Sequence, residues 1–191
     1  MKSLSIQHHF STLERQRQML FPQLNTLSNE QLWSRPAKEK WGVGESIYHL
    51  YLMMKLVKHA ATLTIPSMKL YSRFVKDKPF PRETYDIYQE YKEKKKKGMK
   101  APFVLNPPQR IRYRLDFKEL HQLLMKETEK VKSKVERIDE DIAGHIVFFD
   151  PVAHYPNLIQ VIHLLAIHEQ HHFSIIKSDW KNIHLHNEEN T

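Results

Sequence analysis

Residues 44–63 read GESIYHLYLMMKLVKHAATL, and the fold turns on how this stretch distributes its apolar side chains. Ile47, Leu50, Met54 and Val57 recur at threes and fours, which places them on one stripe of a helix. Leu52, Met53 and Leu56 form a second stripe, so the helix is apolar around much of its circumference. Such a helix is expected at the centre of its domain. It is expected to start near Gly44 and to reach about Thr64, where Pro66 stops it by removing a donor. Glu45 and His49, one turn apart, share its Leu52/Met53/Leu56 face, so two polar residues stand on an apolar surface.

Three further long helices surround it in the sequence. The first is predicted over Ile6–Leu27, with Leu13, Leu20, Leu24 and Leu27 on its buried face and Pro22 as a point of kinking or shortening. LSNEQLWSRPAKEKWGVG, which follows, reads as a loop holding a short helical turn. The third is predicted from Asp116, a suitable N-cap, to about Ile138, with Phe117, Leu120, Leu124 and Val131 inward. The fourth is predicted from Pro156 or Asn157 to Trp180. Between the second and third, YDIYQEYKEKKKKGMK is predicted as a short helix ending at Gly98, and APFVLNPPQR is excluded from helix by its prolines. Only four glycines interrupt the chain. The fold class is all-α, a four-helix bundle with a long irregular connection between helices two and three. One domain is expected over 1–182, with a frayed tail at 183–191.

The absence of cysteine excludes disulfides, thiolate metal sites and a cysteine nucleophile, so any metal must sit on histidine, carboxylate or water. The N-terminus lacks the apolar core of a signal peptide, and no stretch approaches membrane-spanning length. A cytoplasmic protein with no membrane partner is expected. Lys and Arg number 30 against 22 Asp and Glu, a formal charge of +8 that invites an anionic partner. The lysine run 94–97, with Tyr85, Tyr88 and Tyr91 interleaved before it, could contact nucleic acid. A solvated helix end is the commoner fate of such a run, and nucleic acid is not the expected partner.

HEQHH, residues 168–172, carries the chemistry. Val161, Leu165, His168, His172 and Ile176 follow one stripe of the fourth helix, with the two imidazoles about 40° apart and one turn apart. That spacing lets both reach one ion. It would also suit a hydrogen-bonded core pair, since eight of the thirteen histidines lie between His145 and His186. A third ligand must come from another helix, and His49 is the best placed. Three neutral imidazoles with an open position suit Zn²⁺, Ni²⁺ or Fe²⁺. Glu45 could orient a ring or accept a proton from behind the ligands, or simply favour the helix N-terminus. His171 and His163 are expected at the boundary or surface, His59 exposed, and His8 and His9 solvated. A zincin reading of HEQHH would need Glu169 as general base. Glu169 points about 80° away from the two-histidine stripe, and no strand precedes the helix to hold a peptide. It is expected to be a flank residue.

WGVGESIYHL (41–50) followed by IHEQHH (167–172) resembles the DinB-like superfamily, which includes YfiT-type and bacillithiol-transferase-type proteins. Those proteins open helix two with Trp-Ser-x-Gly-Glu-x-x-x-His-Leu and carry His-x-x-x-His in the last long helix. LSNEQLWSRPAKEKW and MKAPFVLNP are similar to the connections before helices two and three. The resemblance implies a four-helix bundle with Zn²⁺ or Ni²⁺ on His49, His168 and His172, frequent homodimers, and transfer of a low-molecular-weight thiol onto an electrophilic small molecule. Gly42 replaces the family's Ser, and Ile175 replaces a Gln found in many members. Neither change removes a ligand; both weaken any transfer of substrate specificity. A metal-dependent hydrolase and a non-catalytic metal-binding protein of a stress response are the competing expectations.

Overall fold

In a computed structural model, residues 1–84, 87, 89, 93 and 101–188 are described. The helix expected over 85–98 falls largely outside them, and Tyr85, Tyr88, Tyr91 and the lysine run 94–97 fall wholly outside. The described helices are α1 (Leu4–Leu24), α2 (Asn29–Trp33), α3 (Val43–Val75), α4 (Phe117–Val135), α5 (Glu140–Ala143) and α6 (Leu158–Glu188). Two short 3₁₀ turns, Phe103–Leu105 and Gln109–Ile111, lie in the connection before α4. The long helices α1, α3, α4 and α6 form the expected four-helix bundle: α3 packs along α4, α1 along α6, and α3 also meets α6.

Local signals fix most helix starts. Ser3 caps α1 by accepting from the Ile6 N–H. Ser28 and Gln31 cap α2 reciprocally, and Asp116 and Glu119 do the same for α4. Behind these caps, Phe10, Leu13, Leu20 and Leu24 of α1 meet Leu158, Ile162 and Leu165 of α6 in one core. Each such side chain, fully buried, contributes about 1.5–3 kcal/mol.

Three boundaries differ from expectation. α1 passes Pro22 and ends at Leu24, short of Leu27. α6 runs past Trp180 to Glu188. α3 passes Pro66 and continues to Val75. Ala61, Ile65 and Met68 keep packing on the core across the proline, so the inner face holds the helix together where the ladder loses a donor. The Ser67 hydroxyl donates to the Leu63 and Thr64 carbonyls at 3.0 Å. The expectation of a central helix holds best for the first two turns of α3, where residues 44–47, 49 and 50 are buried. Leu56, on its second stripe, is 46 % exposed.

Gly42, where the resembling proteins carry Ser, stands against backbone. A Cβ there would lie 2.5 Å from the Ser34 carbonyl oxygen. A serine would gain an N-cap bond of roughly 0.5–1 kcal/mol, but its Cβ would push a backbone atom, which typically costs more. Gly42→Ser is therefore expected to lower stability by about 1 kcal/mol net, read as a lower urea midpoint at unchanged slope. A midpoint at or above wild type would show that the Ser34 loop yields freely.

Candidate metal centre

His49 sits in the second turn of α3, and His168 and His172 on successive turns of α6. The helix contact brings the three rings into a near-equilateral triangle, with centroids 5.0 Å (His49–His168), 4.7 Å (His49–His172) and 4.8 Å (His168–His172) apart. One nitrogen from each ring lies within 4.8 Å of the others. His49 and His168 are buried, while His172 keeps part of its surface open. Trp41 lies 4.8 Å from the His49 ring and stacks at 6.1 Å on His172, forming one wall.

The donor set fits a divalent cation. The Leu105 carbonyl can only accept, so the 2.8 Å contact makes His49 Nδ1 the protonated nitrogen. The Nε2 of the neutral ring then presents a lone pair, as a metal-binding histidine does when its other nitrogen is anchored. His49 Nε2 and His168 Nε2 face each other at 2.9 Å. Two imidazoles on one tetrahedral zinc would place these atoms about 3.3 Å apart, a few tenths of an ångström further.

Burial favours the unprotonated form of all three rings. Desolvation lowers the pKa of His49, and that of His168 to about 3 with help from His49 and His171. The same burial, then His168 and His49, holds His172 well below the ordinary range. Among the described residues, no fourth histidine or carboxylate joins the group.

Glu45 does not touch the His49 ring nitrogens. One of the roles expected of it, orienting that ring, is filled at Nδ1 by the Leu105 carbonyl. Its carboxylate instead accepts from the Gly42 N–H at 3.0 Å, from Arg35 Nε and Nη2 at 2.8 and 2.7 Å, and from Arg112 Nε at 2.9 Å. Burial pulls its pKa up, but Arg35, Gly42 and Arg112 together hold it below the usual value. Glu45 thus ties the 35–42 loop and the segment after the second 3₁₀ turn to the start of α3, directly behind His49. Sequence reasoning missed Arg35, Arg112 and the Leu105 carbonyl as partners. A backbone carbonyl leaves no sequence signal, and the arginines gain their roles only from the fold.

The other candidates separate. Glu169, expected on the flank, is 1 % exposed. Both its oxygens are held by Arg17, at 2.7 and 2.8 Å. That carboxylate is committed to α1 and is unavailable as a general base, which removes the zincin reading. His171 and His59 are exposed, as expected. His9, expected to be solvated, is 7 % exposed and stacks on His163 at 4.3 Å. His163, half-buried, accepts from the Thr84 N–H at 3.1 Å. Burial first, then His163, lowers the His9 pKa to about 4.

A histidine held neutral in the fold and protonated in the unfolded chain contributes stability above its unfolded pKa, and this is lost as pH falls through the folded value. Stability is thus expected to fall between pH 6.5 and about 4. His9 supplies up to about 1.4 kcal/mol per pH unit of that slope. His9→Phe is expected to flatten the urea-midpoint profile over this window by about one proton. An unchanged slope would remove His9 from the acid response.

An all-α bundle with three neutral histidines gathered from two of its helices, and no fourth protein ligand among the described residues, defines a candidate metal-binding four-helix protein. The chain belongs to the DinB superfamily, whose family pattern matches residues 12–176. No curated protein and no solved structure matches the chain significantly.

Proposed function

We propose that this protein is a metal-dependent enzyme that transfers a small thiol onto an electrophilic small molecule, with Zn²⁺ or Ni²⁺ on His49, His168 and His172. The observation that carries the reading is the three-imidazole group with His49 Nδ1 pinned to Leu105 and no fourth described protein ligand. A divalent ion held there supplies Lewis acidity, which lowers the pKa of a thiol at neutral pH. His49 keeps its lone pair aimed inward because Leu105 fixes the tautomer. Trp41 walls one side, lying 4.8 Å from the His49 ring and 6.1 Å from that of His172. Glu45 acts as a positioning residue, holding the Arg35 and Arg112 segments against the start of α3. In the transfer, the sulfur forms a bond to the electrophilic carbon, the bond to the leaving group breaks, and the thiol proton passes to solvent.

On this reading residues 1–182 form the working domain, the chain acts in the cytoplasm as a homodimer, and its electrophiles arise under chemical stress. The resemblance to bacillithiol-transferase-type proteins supports the thiol assignment. The test begins with elemental analysis of untagged protein and continues with a screen of small thiols against electrophilic acceptors. About one zinc or nickel per chain is expected, with thiol consumption that stops on chelation. Metal binding with thiol-independent hydrolysis would replace the transferase with a hydrolase. Metal binding with neither reaction would leave a metal-holding protein.

A further inference from the structure

α3 carries two apolar seams, and the bundle uses one. Ala61, Ile65 and Met68 face the core. On the opposite side Leu63, Leu70 and Phe74 stand in solvent at 76, 64 and 80 % exposure. With Leu56 they fall at sevens and a four, within about 40° of one line along the helix. Lys55 and Arg73, both exposed, flank this line on one side, exposed Lys69 lies further round on that side, and exposed Tyr71 lies on the other. No aspartate or glutamate occurs between Glu45 and Asp77. Lys58 is turned inward to Glu127 at 2.7 Å. Beyond α3, Phe80 packs against Gly144.

We propose that this outer face of α3 docks on an anionic lipid surface. Leu63, Leu70 and Phe74 would enter the boundary between headgroups and acyl chains, with Lys69 and Arg73 on lipid phosphates. A helix with a Leu/Phe line and a basic flank lies in the plane of such an interface. The face is a convex ridge, and a bilayer needs no matching groove. A second copy of the chain would bring this face, which carries cations and no carboxylate, against itself, which like charges oppose. No helix among the described residues is long and apolar enough to cross a membrane, so the contact is with the surface. The sequence expectation of no membrane partner rested on spanning length and did not address a helix lying flat.

The test is cosedimentation of the full chain with phosphatidylcholine vesicles, with and without phosphatidylglycerol, at low and high salt. Wild type is expected to prefer the anionic vesicles at least about tenfold, and to release as salt rises. Leu63→Gln/Leu70→Gln/Phe74→Gln is expected to lose more than about tenfold in partition. Lys69→Gln/Arg73→Gln is expected to lose about tenfold on anionic vesicles only. These side chains are exposed, so circular dichroism and melting temperature are expected to match wild type. No binding of wild type to anionic vesicles at low salt would overturn the proposal. So would a triple apolar variant that binds like wild type, since charge adsorption alone would then suffice. A dimer dissociated by the triple variant, with no vesicle binding, would assign the face to a second copy and overturn it too.

Discussion

Arg17→Met is expected to lower stability at pH 7 by about 3–5 kcal/mol, the usual consequence of leaving one partner of a buried ion pair behind. Arg17 and Glu169 side chains are 4 % and 1 % exposed. Arg17 Nη1 also donates to Thr128 Oγ1 at 2.9 Å, so one guanidinium joins α1, α4 and α6. Burial raises the Glu169 pKa, and Arg17 opposes that rise. Without Arg17 the carboxyl is driven further up and takes a proton more readily. A raised carboxyl pKa leaves stability intact below the unfolded value of about 4.5. The loss grows as pH rises through the folded value. The deficit of Arg17→Met in urea is therefore expected to be smaller at pH 5 than at pH 7. Arg17→Met/Glu169→Leu is expected to recover most of it, because an apolar replacement of both partners strands no charge. An Arg17→Met protein as stable as wild type at pH 7 would show the pair to be inert. Glu169→Gln bears on the chemistry. A general base would lose roughly 10²–10⁴-fold in rate, whereas a structural partner of Arg17 leaves the metal content and the rate near wild type.

The second large effect is on metal. His168→Ala/His172→Ala removes two of three donors, and bound zinc or nickel is expected to fall to background. The loss carries a stability signature. A ligand that binds only the folded chain stabilises it by about 4 kcal/mol when free ligand exceeds its dissociation constant about a thousandfold. Added zinc is thus expected to raise the melting temperature of wild type and leave the double variant unmoved. Chelation is expected to bring wild type down. His49→Ala is expected to behave like the double variant although it lies on a different helix, and this separates a shared site from two histidines binding alone. Equal, negligible metal in wild type and all variants under metal-replete conditions would remove the site.

How far each of these features could be read from the chain depends on the range of the interaction. The i, i+4 spacing of His168 and His172 on an apolar stripe is a local pattern, and helical geometry at about 100° per residue converts it directly into a shared face. His49 gained candidacy the same way, as a polar residue on an apolar surface. The caps at Ser28 and Asp116 are equally local. Glu169 was misplaced because its partner lies 152 residues away. Angular position on a helix says which neighbours share a face, and says nothing of a cation arriving from another helix. His9 was misplaced for a related reason. Near an N-terminus it looked solvated, and only the α1–α6 contact lays His163 over it.

The sequence by itself determined the all-α class, the four long helices, the exclusion of cysteine chemistry and the two helix faces that carry the histidines. Those follow from periodicity, proline placement and composition, which act over a few residues at a time. Only the tertiary structure decided that His49 and His168 meet across 119 residues and that the Leu105 carbonyl fixes the His49 tautomer. It also decided that Glu45 serves two arginines, and that the line from Leu56 through Leu63 and Leu70 to Phe74 on α3 faces water. A stripe of leucines is written identically whether it finds a partner or not. Burial is settled by which helices pack against which, and the bundle has room for only one side of that helix.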